Sequence, residues 1–186
     1  MVIYIPNEEH ENLVFFDTEF DQQRLVQISM ILYERIILEG VPCFLLSGSV
    51  NVYIKRNVSS FFVKHTGLTQ EYIKNRGISE HAARSTINNF LIGLNSPYTL
   101  LIAHGVKQDA MLLEDLDIKV DLMEHYCTYQ SSRRILNREN HLKLIDVCNE
   151  AGYFTNQHDA YIDAESVMHA YSYLKLVEFL NDKGEN

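Results

Sequence analysis

Leu13-Val14-Phe15-Phe16-Asp17-Thr18-Glu19-Phe20 is the stretch that decides how this sequence is read. It is apolar on both faces apart from its acids, which is the pattern of a central strand covered on both sides. Residues two apart in a strand share a face, so Asp17 and Glu19 lie side by side on the face that also carries Leu13 and Phe15. Two carboxylates held together in a poorly solvated place are costly unless they keep protons or meet a cation. The stretch contains no Lys or Arg. Hard oxygen donors of this kind suit Mg²⁺ or Mn²⁺. The competing reading is a strand end that emerges into water, with Asp17, Glu19 and Asp21 as ordinary edge residues.

Outward from this strand, Arg24–Tyr33 reads as a second strand, Gly40 and Pro42 mark a turn, and Cys43–Ile54 reads as a third. Three strands with short joins predict an antiparallel meander. The period then changes. Ser79 is placed as a helix N-cap with Glu80 in the first turn, and Ala83, Ile87, Phe90, Leu91 and Leu94 follow helical spacing up to Pro97. Tyr98–Ala103 is a short buried strand, followed by a helix from about Gln108 to Leu116 and a last short strand over Lys119–Met123. Tyr126–Leu136 and His141–Ala151 read as helices, the second opened by Asn140 and closed by Gly152. Ala160–Leu180 is a long final helix. The predicted fold class is α/β, a mixed five-stranded sheet covered by helices, with the first strand central.

Size and composition bound the rest. A chain of 186 residues, 46% hydrophobic and 22% charged, with 8 Gly and 3 Pro, suits one domain over residues 1–186, its last few residues a frayed tail. Cys43, Cys127 and Cys148 are odd in number and widely spaced, which argues against a disulfide framework and against a zinc knuckle. The start, MVIYIPNEEHEN, lacks the basic and apolar regions of a secretory signal, and apolar runs such as Leu100–Ala103 are too short to span a bilayer. A cytoplasmic protein is expected. The net charge of -9, from 16 basic and 25 acidic residues, opposes a grip on long duplexes, whose affinity comes from phosphate neutralisation. Nucleic acid fits only as a short or single-stranded substrate, or with a partner or metal ions to offset the charge.

Further acids stand where apolar residues or caps are expected. Val167, Ala170, Leu174 and Val177 recur from Asp163 at helical steps, so Asp163 occupies the first rung of the buried stripe. Its alternative is an acid satisfying N–H groups at a helix start. His158 lies five residues earlier, just before that helix. Asp109 follows the buried strand Tyr98–Ala103 after the turn His104–Gly105, where α/β folds often place site residues.

The combination resembles the DEDDh exonucleases, the superfamily of the proofreading exonuclease of bacterial replicative polymerases, ribonuclease T and oligoribonuclease. The first motif is similar to Phe16-Asp17-Thr18-Glu19, the second to Ala103-His104-Gly105-Val106-Lys107-Gln108-Asp109, and the third to His158-Asp159-Ala160-Tyr161-Ile162-Asp163-Ala164. His65-Thr66-Gly67-Leu68-Thr69 resembles the family's His-Gly-Ile-Thr segment, and Leu142–Gly152 its helix before the third motif. Gly105 and Gln108 depart from the Asn and Phe common in the second motif, and Phe20-Asp21-Gln22-Gln23 replaces the Thr-Thr-Gly-Leu often found after the first.

The resemblance implies a ribonuclease H-like fold and a 3′–5′ exonuclease releasing nucleoside 5′-monophosphates. It implies that Asp17, Glu19, Asp109 and Asp163 hold two divalent cations, Mg²⁺ or Mn²⁺, and that His158 is the general base. The implied partner is the 3′ end of single-stranded DNA or RNA. Thr18, Phe20, His104, Arg133 and Arg134 are candidate substrate contacts. Phe20 can stack on the terminal base or belong to the core. Arg133, Arg134, Arg138 and Lys143, interleaved with Tyr129 and His141, can track the strand or form a solvated helix face. His104 can reach phosphate or hold its turn. The alternatives are a catalytically inactive binding module of the same fold, and a proofreading or trimming subunit of a larger nucleic-acid complex.

Overall fold

The computed structural model describes residues 1–154 and 158–184. Among them, six strands form one mixed sheet: β1 (Val2–Ile3), β2 (Asn12–Asp21), β3 (Arg24–Leu38), β4 (Val41–Tyr53), β5 (Thr99–Ala103) and β6 (Glu124–Cys127). Their spatial order is β1-β4-β3-β2-β5-β6. The meander β2–β3–β4 is antiparallel, and β5 and β6 add to it in parallel. The helices are α1 (Ser60–Thr66), α2 (Gln70–Arg76), α3 (Glu80–Phe90), α4 (Val106–Asp115), α5 (Thr128–Ile135), α6 (Leu144–Glu150) and α7 (Ala160–Lys183).

β2 has a core on each side. Val14 and Phe16 pack with Ile28, Met30 and Leu101 against Ala83 and Ile87 of α3 and Leu112 and Leu113 of α4. Leu13 and Phe15 pack on the other side with Val167, Ala170, Tyr171 and Leu174 of α7 and Val147 of α6. Strand alternation therefore turns Asp17 and Glu19 toward α7, and Thr18 toward α4. β2 pairs with β5 only from Asn12 to Phe15, whereas its pairing with β3 continues to Asp21 through a register shift between Glu19 and Phe20. Beyond Phe15 the β5 side of β2 is thus open. The acids lie in that crevice, past the carboxyl end of β5, where parallel neighbours diverge.

The sheet has one strand more than expected, because Val2–Ile3 adds to the β4 edge. The last strand is Glu124–Cys127 and not Lys119–Met123: Val120 and Met123 are buried, but within a turn that Met123 N–H closes on the Val120 carbonyl at 3.2 Å. Tyr126 accordingly belongs to β6, and the helix expected there begins at Thr128. Ser79 caps α3 as expected, but the helix ends at Phe90, well before Pro97, since Gly93 at φ +78° turns the chain. Lys143, not Asn140, opens α6, with Asp146 reaching back to its backbone. The two short helices α1 and α2 add to those that the sequence predicts. The last residues of the predicted frayed tail, 185 and 186, lie outside the described residues. No described helix is long and apolar enough to cross a membrane, and all three cysteines are free thiols.

Candidate active site

Asp17, Glu19 and Asp163 converge. Each offers one carboxylate oxygen such that all three lie within 4.8 Å of one another. β2 supplies the first two from its α7 face, and the first turn of α7 supplies the third. Asp159 caps that helix, accepting from the N–H groups of Tyr161 at 2.9 Å and Ile162 at 3.4 Å. Its other oxygen faces Gln27 Nε2 and the Tyr53 hydroxyl, each at 3.4 Å. Cap and sheet thus fix the start of α7 over β2. The Asp163 Oδ2 accepts from the His158 backbone N–H at 2.9 Å. Its Oδ1 is buried with no hydrogen-bond partner among the described residues.

Asp109 comes from the opposite side of the sheet. It lies in the first turn of α4, 7% exposed, and its Oδ1 accepts a hydrogen bond of 2.6 Å from Thr18 Oγ1. The residue between the two strand acids therefore holds the acid of the second motif, and Thr18 is engaged within the protein. Asp109 stands apart from the group of three yet is close enough to raise the pKa of Asp17.

Electrostatics reflect the crowding. Burial, then Asp109, Asp163, Glu19 and Asp159, push Asp17 well above the usual carboxylate range. Burial, then Asp163, Asp159 and Asp109, push Glu19 up to about 8. Asp109 and Asp163 rise to about 6, burial being the main cause in each. Without a cation the site is therefore partly protonated at neutral pH. A cation must displace those protons to bind, which makes its affinity pH-dependent. The donor set fits a hard divalent cation: three converging carboxylates, one with a buried oxygen that has no partner among the described residues.

His158 is exposed, at a backbone φ of +81°. Its ring lies 4.2 Å, centroid to centroid, from that of His65 on α1. Burial, then His65 and Lys143, lowers its pKa, so the ring is neutral at pH 7. Nothing local in the sequence marks His65, because its neighbour is supplied by a loop 93 positions further along the chain, and the local signal of Asp159 is only its place before a helix.

The substrate-contact candidates divide. His104 is committed internally: its Nε2 lies 3.1 Å from the Leu142 carbonyl and its Nδ1 3.0 Å from Thr128 Oγ1. A carbonyl only accepts, so Nε2 carries the proton, and burial holds the ring neutral with a pKa pushed down to about 4. It holds its turn. Phe20 is 37% exposed at the register shift, beside Glu19, rather than in the core. Arg133 reaches the Glu139 carbonyl at 2.9 Å. Arg134 pairs with Glu178 at 2.8 Å, toward the far end of α7 from Asp163.

No protein-family model and no curated protein matches the sequence. Solved structures do match the fold. They include E. coli exonuclease I in complex with a 5cy-dT13 oligonucleotide (TM-score 0.65, 15% identity, covering 93% of this chain and 43% of that one). The zinc-ion-bound form of the E. coli exonuclease I–ssDNA complex gives a TM-score of 0.68 at 16% identity, covering 94% and 42%. The moderately thermophilic exonuclease I from Methylocaldum szegediense gives 0.63 at 17% identity, covering 92% and 43%. The chain thus shares the fold of part of exonuclease I, a mixed sheet covered by helices. It spans less than half the length of the exonuclease I chains it matches.

Proposed function

We propose that this protein is a metal-dependent 3′–5′ exonuclease that releases nucleoside 5′-monophosphates from single-stranded or short nucleic acid. The observation that carries this reading is Asp163 Oδ1, a buried acceptor without a partner among the described residues, in a group with Asp17 and Glu19. A buried, unpaired carboxylate oxygen beside two others is costly in a purely structural role. Asp17, Glu19 and Asp163 are the residues to hold Mg²⁺ or Mn²⁺, with Asp109 completing the set from the α4 side. Bound there, divalent ions neutralise the carboxylates, acidify an attacking water and stabilise charge on phosphate oxygens.

The chain's own groups do the rest. His158, neutral at pH 7, takes the proton of the attacking water on a ring nitrogen. Asp163 anchors the backbone of His158, so the base and one cation ligand are fixed to each other. Thr18 keeps Asp109 aimed across the end of β2. The net charge of -9 favours short or single strands over duplexes.

Side-by-side digestion of DNA and RNA oligonucleotides of graded length, with Mg²⁺ or Mn²⁺ and with either end labelled, tests this. Mononucleotides should leave the 3′ end, and EDTA should stop their release. Absence of metal-dependent hydrolysis on all of these substrates sinks the enzyme reading and favours a binding module of the same fold.

A further inference from the structure

The active-site region continues into an aromatic shelf on α1. Phe61 and His65 are one helical turn apart, and their rings are stacked with an interplanar angle of 8° and centroids 6.1 Å apart. His65 in turn packs on the His158 ring at 4.2 Å. Phe61 is 77% exposed, an unusual place for a bare aromatic ring, whereas its neighbour Phe62 is buried with Val26 and Ile73. Phe62 therefore accounts for how α1 packs, and Phe61 is free of that duty.

α1 is tied to the carboxylate strand. Asp21, two residues past Glu19, accepts from the Ser59 backbone N–H at 2.6 Å and from its hydroxyl at 2.7 Å, and Ser59 caps α1. The shelf is thus fixed to β2 at one end and meets the proposed base at the other. Flat, rigid and sequence-tolerant surfaces of this kind take unpaired nucleobases.

We propose that Phe61, with His65 behind it, is a stacking site for an unpaired base close to the 3′ end of the bound strand. This rests on the nuclease reading of the adjacent carboxylates. Stacking admits any of the bases and needs them unpaired, so the shelf selects single strands without selecting sequence. A base held in a duplex cannot present its face to Phe61.

The test uses the full chain, Mg²⁺ and hydrolysis-resistant phosphorothioate dT hexanucleotides carrying 2-aminopurine at each of the last three positions in turn. Binding should quench at least one of them. Phe61→Ala should remove that quenching and weaken binding roughly 10- to 100-fold, as loss of one stacked base does. Phe61→Trp should restore both. The wild-type protein should also bind a strand with bases at its 3′ end more tightly than one abasic there, and Phe61→Ala should erase that preference. Unchanged quenching in Phe61→Ala, or equal wild-type affinity for the abasic strand, overturns the shelf. Wild-type hydrolysis of unmodified strands is scored separately: cleavage without quenching removes the shelf and keeps the nuclease, and quenching without cleavage does the reverse.

Discussion

Thr18 Oγ1 donates to Asp109 Oδ1 at 2.6 Å, joining the strand that carries two acids to the helix that carries another, across 91 residues of sequence. Because Thr18 faces α4 while Asp17 and Glu19 face α7, this bond sets one side of the sheet against the other. Hydrogen bonds to charged groups contribute about 1.5–3 kcal/mol. Thr18→Val should therefore weaken Mn²⁺ binding by roughly 10- to 100-fold in calorimetric titration, with Thr18→Ser recovering most of it. Affinity unchanged in Thr18→Val would mean that Asp109 needs no such hold.

Removing the cation should make stability fall with rising pH. Glu19, Asp109 and Asp163 keep their protons in the folded chain up to about 8, 6 and 6, with Asp17 also held high. Unfolded carboxyls lose theirs near 4. Between those limits the folded state binds more protons than the unfolded one, so stability declines as pH rises through the window. In EDTA the Tm should be lower at pH 8 than at pH 5, and Mn²⁺ should raise it more at pH 8. A flat profile would contradict the crowding of the acids.

Asp17→Asn should abolish hydrolysis and stabilise the metal-free protein at pH 8, because it removes the charge most opposed by its neighbours. Each kcal/mol gained raises Tm by about 2–4 °C in a chain of this size. A fall in metal-free Tm would instead make Asp17 a structural residue.

His158→Ala should slow hydrolysis by about 10²-fold or more while leaving Mn²⁺ affinity near that of the wild type, the loss expected when a general base is removed. Its side chain is not among the converging carboxylates, and its backbone N–H, which Asp163 uses, survives the change. Turnover at the wild-type rate would take the imidazole out of the mechanism.

Ser59→Ala deletes both a helix cap and one of the two bonds to Asp21. Loss of such a cap costs about 1 kcal/mol, a Tm drop of about 2–4 °C. If α1 must be held still to receive substrate, KM should rise more than kcat falls. Equal effects on both would point to simple destabilisation.

The meander, α3 and α7 were legible in the sequence because each shows its periodicity over many residues. Asp17, Glu19 and Asp163 stood out for the same reason: each is an acid interrupting an apolar pattern strong enough to define what should have been there. α1 and α2 have seven residues each and bury one apiece, Phe62 and Ile73, which is too little to write a stripe. The last strand was displaced because Val120 and Met123 are core residues of a turn, while the true strand Glu124–Cys127 has no buried residue to mark it. Thr18–Asp109 and His65–His158 could not be seen, since nothing local distinguishes a serviceable Thr or His from one whose partner lies across the fold.

His158 occupies the left-handed region, with φ +81°, where a side chain is disfavoured and glycine is at ease. Replacing it with Gly should relieve strain on the order of 1 kcal/mol. Stability and turnover therefore pull this position in opposite directions. In a library ranked only by heat resistance, glycine at 158 should be enriched, and the best survivors should be the poorest enzymes.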